Sequence, residues 1–130
     1  MNESIEKLRA LPFFKGLTTD QLKVVAAACL VKRFKKSDTV IREGDTPDGM
    51  YVMISGTADV VKHGQTISQL AENDFFGELA LLSVAKPRTA TIIAAEDIET
   101  LFLPAKAFNN IKLGLSAEIF EEIIKRVGNN

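Results

Sequence analysis

The sequence predicts a mainly β fold with flanking helices: an antiparallel β-sandwich or jelly roll of seven or eight strands, entered and left through helical segments. Three observations predict it. Between Leu30 and Leu103, short runs rich in β-branched and aromatic residues alternate with turns bearing Gly, Asp and Pro. No helix of the crossover length that a parallel sheet needs separates the strands. On either side, apolar residues recur at helical rather than alternating spacing.

The elements follow in order. Ser4–Ala10 reads as an amphipathic helix with Ile5, Leu8 and Leu11 on one face, stopped by Pro12. Leu11-Pro12-Phe13-Phe14-Lys15-Gly16 is then a tight connector with both Phe buried. Thr18 and Gln21 have the spacing of a capping box and open a second helix, whose face is Leu22, Val25, Ala26 and Cys29. Strands are predicted over 30–34, 39–42, 50–55, 57–62, 66–70, 89–95 and 99–103. Their connections are Lys36-Ser37-Asp38, Gly44 to Gly49, Ser55-Gly56, His63-Gly64 and Glu96-Asp97. Pro104 sits where a helix begins, at its first position, and Gly114 ends that helix. Ser116 caps a last helix with an apolar stripe of Ile119, Phe120, Ile123, Ile124 and Val127, expected to pack on the sandwich.

Composition narrows the functions. The 130 residues suffice for one domain of ordinary size, 1–130. Sixteen basic against seventeen acidic residues leave a formal charge of −1, unlike the strongly basic balance of a duplex-binding module, so no nucleic-acid partner is expected. The lone Cys29 makes no internal disulfide and points to a reducing, cytoplasmic setting. The single His63 excludes histidine-rich metal sites and Ser-His or Cys-His catalysis, so an enzyme and a bound metal are not expected. The N-terminus has no apolar core of a signal peptide, and the longest apolar run, Val24 to Val31, is about a third of a membrane span, so no membrane partner is expected either.

One segment carries chemistry. Phe75 to Thr91 reads FFGELALLSVAKPRTAT, a single helical turn from Gly77 set inside a β domain. The start of a helix offers unpaired N–H groups, which suit an anion. Arg88, eleven residues after Gly77, lies between Pro87 and a strand; turned inward, its charge demands a partner. A guanidinium fork, helix N–H groups and a glycine that admits close backbone approach together describe a phosphate cradle. Glu78 repels a phosphate, and its natural role is to accept hydrogen bonds from a neighbouring hydroxyl such as a ribose 2′-OH. Phosphate plus ribose means a nucleotide.

FGELALL followed by PRTATI resembles the phosphate-binding cassette of cyclic nucleotide-binding domains, as in the regulatory regions of cAMP- and cGMP-dependent protein kinases. Leu8 to Leu30, with LPFFKGLTTDQL, looks like that family's N-terminal helical motif; IREGD and Ser55-Gly56 match its two glycine turns, and the last two helices its hinge. The resemblance implies a jelly roll with N-terminal helices over 1–29, a sandwich over 30–103 holding the cassette at 75–91, and C-terminal helices over 104–130. It implies that Arg88 pairs with the exocyclic phosphate oxygens, helped by N–H groups of Ala80 and of Thr89 or Ala90. It implies that Glu78 and the Gly77 backbone hold the ribose 2′-OH, with Leu79 beside them in the cassette, and that Val61 and Leu70 line the base wall. The ligand is then cGMP or cAMP, with no cofactor. The partner is an effector domain in the same or another chain: a kinase first, a channel or exchange factor otherwise.

Thr89 tilts the choice toward cGMP, since members preferring it commonly have Thr there and the cAMP-preferring kinase subunits Ala. One neutral hydrogen bond gives only roughly a 2–12-fold preference. Ser68 stands where cGMP-selective members often carry a basic residue, and the cassette is about one residue longer than usual within Ser83–Lys86. A transcription regulator of the same superfamily would need a helix-turn-helix, which no segment fits. The remaining polar residues read blandly. Lys32, Arg33, Lys35 and Lys36 form a solvated strand face; His63 is an exposed turn residue; Cys29 is buried filler; Glu43 and Asp45 are too few ligands for calcium. A sensor without an output element is expected to be part of a longer protein.

Overall fold

The computed structural model describes residues 2–82, 87–111 and 115–128. Helix α1 (Asn2–Arg9), a 3-10 turn (Pro12–Phe14) and α2 (Thr19–Ala27) precede eight strands. These are β1 (Leu30–Phe34), β2 (Thr39–Ile41), β3 (Gly49–Ser55), β4 (Ala58–Lys62), β5 (Gln65–Leu70), β6 (Phe75–Phe76), β7 (Thr91–Ala94) and β8 (Ile98–Pro104). Helices α3 (Ala105–Ile111) and α4 (Ala117–Gly128) follow.

The strands form two four-stranded antiparallel sheets, ordered β1-β8-β3-β6 and β2-β7-β4-β5, which is the jelly-roll pattern of sheets sharing a chain that crosses repeatedly between them. Strand β3 explains its own continuous apolar run. Tyr51 and Met53 point into the space between the sheets, while Met50, Val52 and Ile54 point outward against the helices, so both faces are buried. Ile41, Ala58, Phe76, Ile92, Ala94, Ile98 and Phe102 complete the inter-sheet core. The second core lies outside the β1-β8-β3-β6 sheet, where Leu8, Phe13, Phe14, Leu22, Phe108, Ile123 and Val127 meet Leu101 and Leu103. The chain's helices thus cover one sheet.

Local chemistry sets the helix ends as expected at two places. Gln21 N–H donates to Thr18 Oγ1 at 3.2 Å while Thr18 N–H donates to Gln21 Oε1 at 2.8 Å, a complete capping box. Ile119 N–H donates to Ser116 Oγ at 3.2 Å. Both Phe of the 3-10 turn are buried, packed edge-on at 5.0 Å. The two glycine turns hold Gly44 and Gly56 at positive φ.

Several boundaries move. Pro104 ends β8, paired with Gly49, and α3 begins one residue later, because the ladder continues to the first residue whose N–H it does not need. The strand expected over 89–95 is β7, Thr91–Ala94; Thr89 and Ala90 form a bend before it. Phe75–Phe76 adds an eighth strand, β6, too short to show periodicity. Cys29 lies beyond the end of α2 and is half-buried rather than buried; its thiol donates to Val25 O at 3.4 Å, and burial pushes its pKa up to about 12. The helix stop at Gly114 and the cassette insertion at Ser83–Lys86 lie outside the described residues. Among those described, no helix is long and apolar enough to cross a membrane.

Candidate functional site

Arg88 is built into place by its backbone before its side chain does anything. Its N–H donates to Asp45 O and its carbonyl accepts from Gly44 N–H, both at 2.8 Å, which stitches the residue to the β2–β3 loop. The side chain then turns inward and is only 8% exposed. Nη2 donates to Gly49 O at 2.7 Å and to Asp48 Oδ1 at 3.2 Å, and Nη1 donates to Gly77 O at 3.4 Å. Arg88 lies three residues before β7 begins, so these loop bonds and not the strand hold it in place. A buried guanidinium needs its charge matched, and Asp48 supplies the carboxylate.

Gly77 faces that guanidinium. It adopts φ +77, a left-handed conformation natural to glycine, and caps the 3-10 turn Glu78–Leu81. A Cβ at Gly77 would lie 2.6 Å from Arg88 Nη1, so any side chain there would displace the arginine. Ala80 N–H, assigned to a phosphate from the sequence, donates to Gly77 O at 3.1 Å within the turn. Ala80 is buried and Leu79 is 54% exposed at the rim. Half-burial raises the Glu78 carboxyl above its ordinary value, opposed by its own backbone hydrogen bond and by the Arg88 charge.

These residues share one cleft of about 250 Å³. Gly77, Glu78, Leu79, Ala80, Arg88, Thr89 and Ala90 all line it, at one end; Ile41, Pro47, Val60, Phe76 and Ile92 form the apolar wall. The cleft is therefore polar and cationic where the turn meets Arg88, and apolar along the sheet. It suits an amphipathic ligand with an anionic end and a flat apolar body. Thr89 is exposed within the lining and Ala90 is half-buried.

Two expected wall residues are elsewhere. Val60, not Val61, lines the cleft, and Leu70 packs against the inter-sheet core. Alternation from Ala58, whose burial the fold establishes, puts Val60 on the inner face. Asp48 was missed as well. The need for a carboxylate near Arg88 was legible, but the loop offers Glu43, Asp45 and Asp48, and spacing alone does not choose among them. Tyr51, stacked on Phe76 at 5.0 Å, lies behind the same corner. Burial and then the Asp48 charge push its hydroxyl up to about 12, against the pull of Arg88.

The basic cluster is not one solvated face: Arg33 is exposed and pairs with Glu99 at 2.7 Å, whereas the half-buried Lys32 sets its Nζ 3.9 Å over the Phe102 ring of the inter-sheet core. His63 is exposed in a left-handed turn, 3.7 Å from Glu43. Among the described residues, no group of three His, Cys, Asp or Glu is placed to hold a metal.

Comparison with known proteins places the chain in a family. The family model for the cyclic nucleotide-binding domain matches residues 31–113. The cGMP-dependent protein kinase of Toxoplasma gondii is 34% identical over 122 residues, which is 94% of this chain and 12% of the kinase. The cAMP-dependent protein kinase regulatory subunit of Hypocrea atroviridis is 34% identical over 104 residues, 80% of this chain and 22% of the subunit. The chain thus spans less than a quarter of the length of either relative. Among solved structures, cAMP-bound PfPKA-R (141–441) superposes with a TM-score of 0.74 at 26% identity, over 98% of this chain and 47% of that one. The N-terminal domain of a transcriptional regulator from Streptomyces coelicolor A3(2) shares the fold, with a TM-score of 0.83 at 24% identity over 95% of this chain and 90% of that one. On the match over 31–113, the chain belongs to the cyclic nucleotide-binding domain family.

Proposed function

We propose that the chain is a cyclic nucleotide sensor, taking cGMP in preference to cAMP and regulating an effector of which a cGMP-dependent protein kinase is the foremost candidate. The observation that carries the reading is Arg88: a guanidinium held almost out of solvent in the lining of a cleft with an apolar wall, against a glycine whose missing side chain leaves room for it. In this reading Arg88 takes the cyclic phosphate, with the N–H groups of Thr89 and Ala90 nearby, and Asp48 keeps the guanidinium aimed. Glu78 and the Gly77 backbone take the ribose 2′-OH, and the base lies along Val60 and Ile92 with Thr89 at its edge.

Support for cGMP comes from Thr89 and from the kinase of Toxoplasma gondii. The fungal regulatory subunit supports the second reading, a cAMP site of a cAMP-dependent kinase. The whole of 1–130 acts as one such domain, in the cytoplasm, and its output passes through α3 and α4. Leu81, at the end of the cassette turn, is buried in the same core as Ile123 and Val127 of α4, so a shift of the turn changes what α4 packs against. Such a shift is a population change, and the nucleotide drives it only as far as it binds one arrangement better than the other.

The test is a calorimetric titration with cGMP and with cAMP, using Arg88→Ala as the control. Binding by the natural chain is expected, with a loss of about 30-fold to several-thousand-fold in the variant, equivalent to roughly 2–5 kcal/mol for a partly buried phosphate left unpaired. The tighter nucleotide decides between the two readings. No heat with either nucleotide would refute the sensor.

A further inference from the structure

Outside the cleft, one side chain is held more tightly than its position on a terminal helix requires. Lys7 of α1 is 12% exposed. Its Nζ donates to Asn73 Oδ1 at 2.7 Å and to Glu72 Oε1 at 3.3 Å, in the turn between β5 and β6. Burying an ammonium is unfavourable unless it is hydrogen-bonded and its charge matched, and Glu72 and Asn73 do both.

That turn leads straight into the site. Asp74 closes it, its Oδ2 accepting from Ala71 N–H at 2.8 Å and its N–H donating to Ala71 O at 3.0 Å. Asn73 stands at φ +74, donates to Met53 O at 2.9 Å, and Asp74 O accepts from Met53 N–H at 2.8 Å. Two residues of β6 follow, at the edge of their sheet, paired with Val52 and Tyr51, and then come Gly77 and Glu78. An edge strand of two residues is a weak anchor. From the helical side it is held by Lys7 and by Phe75, whose ring meets Phe13 edge-on at 5.3 Å. Arg88 has a separate set of holds in Gly44, Asp45, Asp48 and Gly49. The cassette turn and Arg88 are thus anchored through different parts of the molecule and meet at the bond from Arg88 Nη1 to Gly77 O.

We infer that Lys7 is a positioning residue for the ribose end of the nucleotide site: through Glu72 and Asn73 it fixes the approach of β6 and so the place of Gly77 and Glu78. This rests on the cyclic-nucleotide reading above. A preorganised contact is strong because its ordering is complete before the ligand arrives, and a loosened one returns less of its binding energy.

The test compares cGMP with 2′-deoxy-cGMP, by calorimetry, on the full chain and on two variants. Lys7→Met keeps the length of the side chain and removes the charge. Asn73→Gly removes the acceptor while suiting a left-handed backbone, so the turn itself persists. Both variants are expected to bind cGMP roughly threefold to tenfold more weakly while binding 2′-deoxy-cGMP as the parent does, so that the advantage given by the 2′-OH shrinks. Unchanged cGMP binding in both variants would overturn the inference. Equal weakening toward both nucleotides would overturn it too, since that marks general loosening. Absence of binding by the unsubstituted chain would instead defeat the nucleotide reading itself, and this inference with it.

Discussion

Arg88 and Glu78 line the same cleft yet stand in opposite electrostatic positions. Arg88 is buried with a carboxylate and two carbonyls already on its donors, so its charge is matched within the protein. Glu78 is half-buried with its carboxyl raised, so its ionised form is disfavoured in the fold. The sign follows from linkage: a carboxyl raised on folding favours the folded state while protonated, below its unfolded value, and that contribution is lost as pH rises through the raised value. At neutral pH the ionised Glu78 is therefore a cost to the fold. Glu78→Gln is expected to melt no lower than the parent at neutral pH, with any advantage narrowing as the solution is acidified, while binding cGMP more weakly. Thermal melts at a series of pH values and a titration at neutral pH check both halves. A variant that melts lower at neutral pH and binds as well as the parent would reverse the assignment. A residue kept against stability is what a binding role predicts.

At the level of elements, the strands that carry the site were more legible than the contacts between them. Helix α2 announced itself by a capping box, β3 and β4 by apolar runs between glycine turns, and β8 by an apolar run after Glu96-Asp97, because those signals are local. The two-residue β6 has no period to read, and the start of β7 was misplaced since Thr89 and Ala90 look like strand residues until the stitching of Arg88 to Gly44 and Asp45 bends them away. The motif named Gly77, Glu78 and Arg88; Asp48 and Val60 needed the fold, one because three acids compete in its loop and the other because parity had to be counted from Ala58. The β3–β8 pairing gives a sharper test. Gly49 opposes Pro104, and a Cβ there would run into the Leu103 carbonyl oxygen and the Phe102 ring. Gly49→Ala is expected to cost ~3 kcal/mol or more, read as a lower urea midpoint, because the obstruction includes backbone. Nucleotide affinity should fall as well, since the Gly49 carbonyl holds Arg88. A midpoint like the parent's would show that the two strands have slack the geometry denies.

Across the whole molecule, the helices gather on one sheet and the cleft opens from the other, with the cassette turn between them. Leu81 joins the helical core while Leu79, two residues earlier, stays at the cleft rim. Amide exchange in α4 should therefore change when cGMP saturates the chain, and exchange along the β4–β5 hairpin beyond the cleft should change less. Unaltered exchange in α4 at saturation would mean that the site binds without signalling. The one-sided placement of the helices has a consequence for how the sequence is free to vary. Residues facing out of the β2-β7-β4-β5 sheet, such as Ile67 and Gln69, touch solvent, whereas those facing out of β3 and β8 are enclosed by α1 to α4. A complete substitution scan would divide these outward faces in two: that of the β2-β7-β4-β5 sheet nearly mute to exchange of side chains, that of β3 and β8 intolerant. The border between them would run through the cassette, where a residue answers to both the ligand and the core.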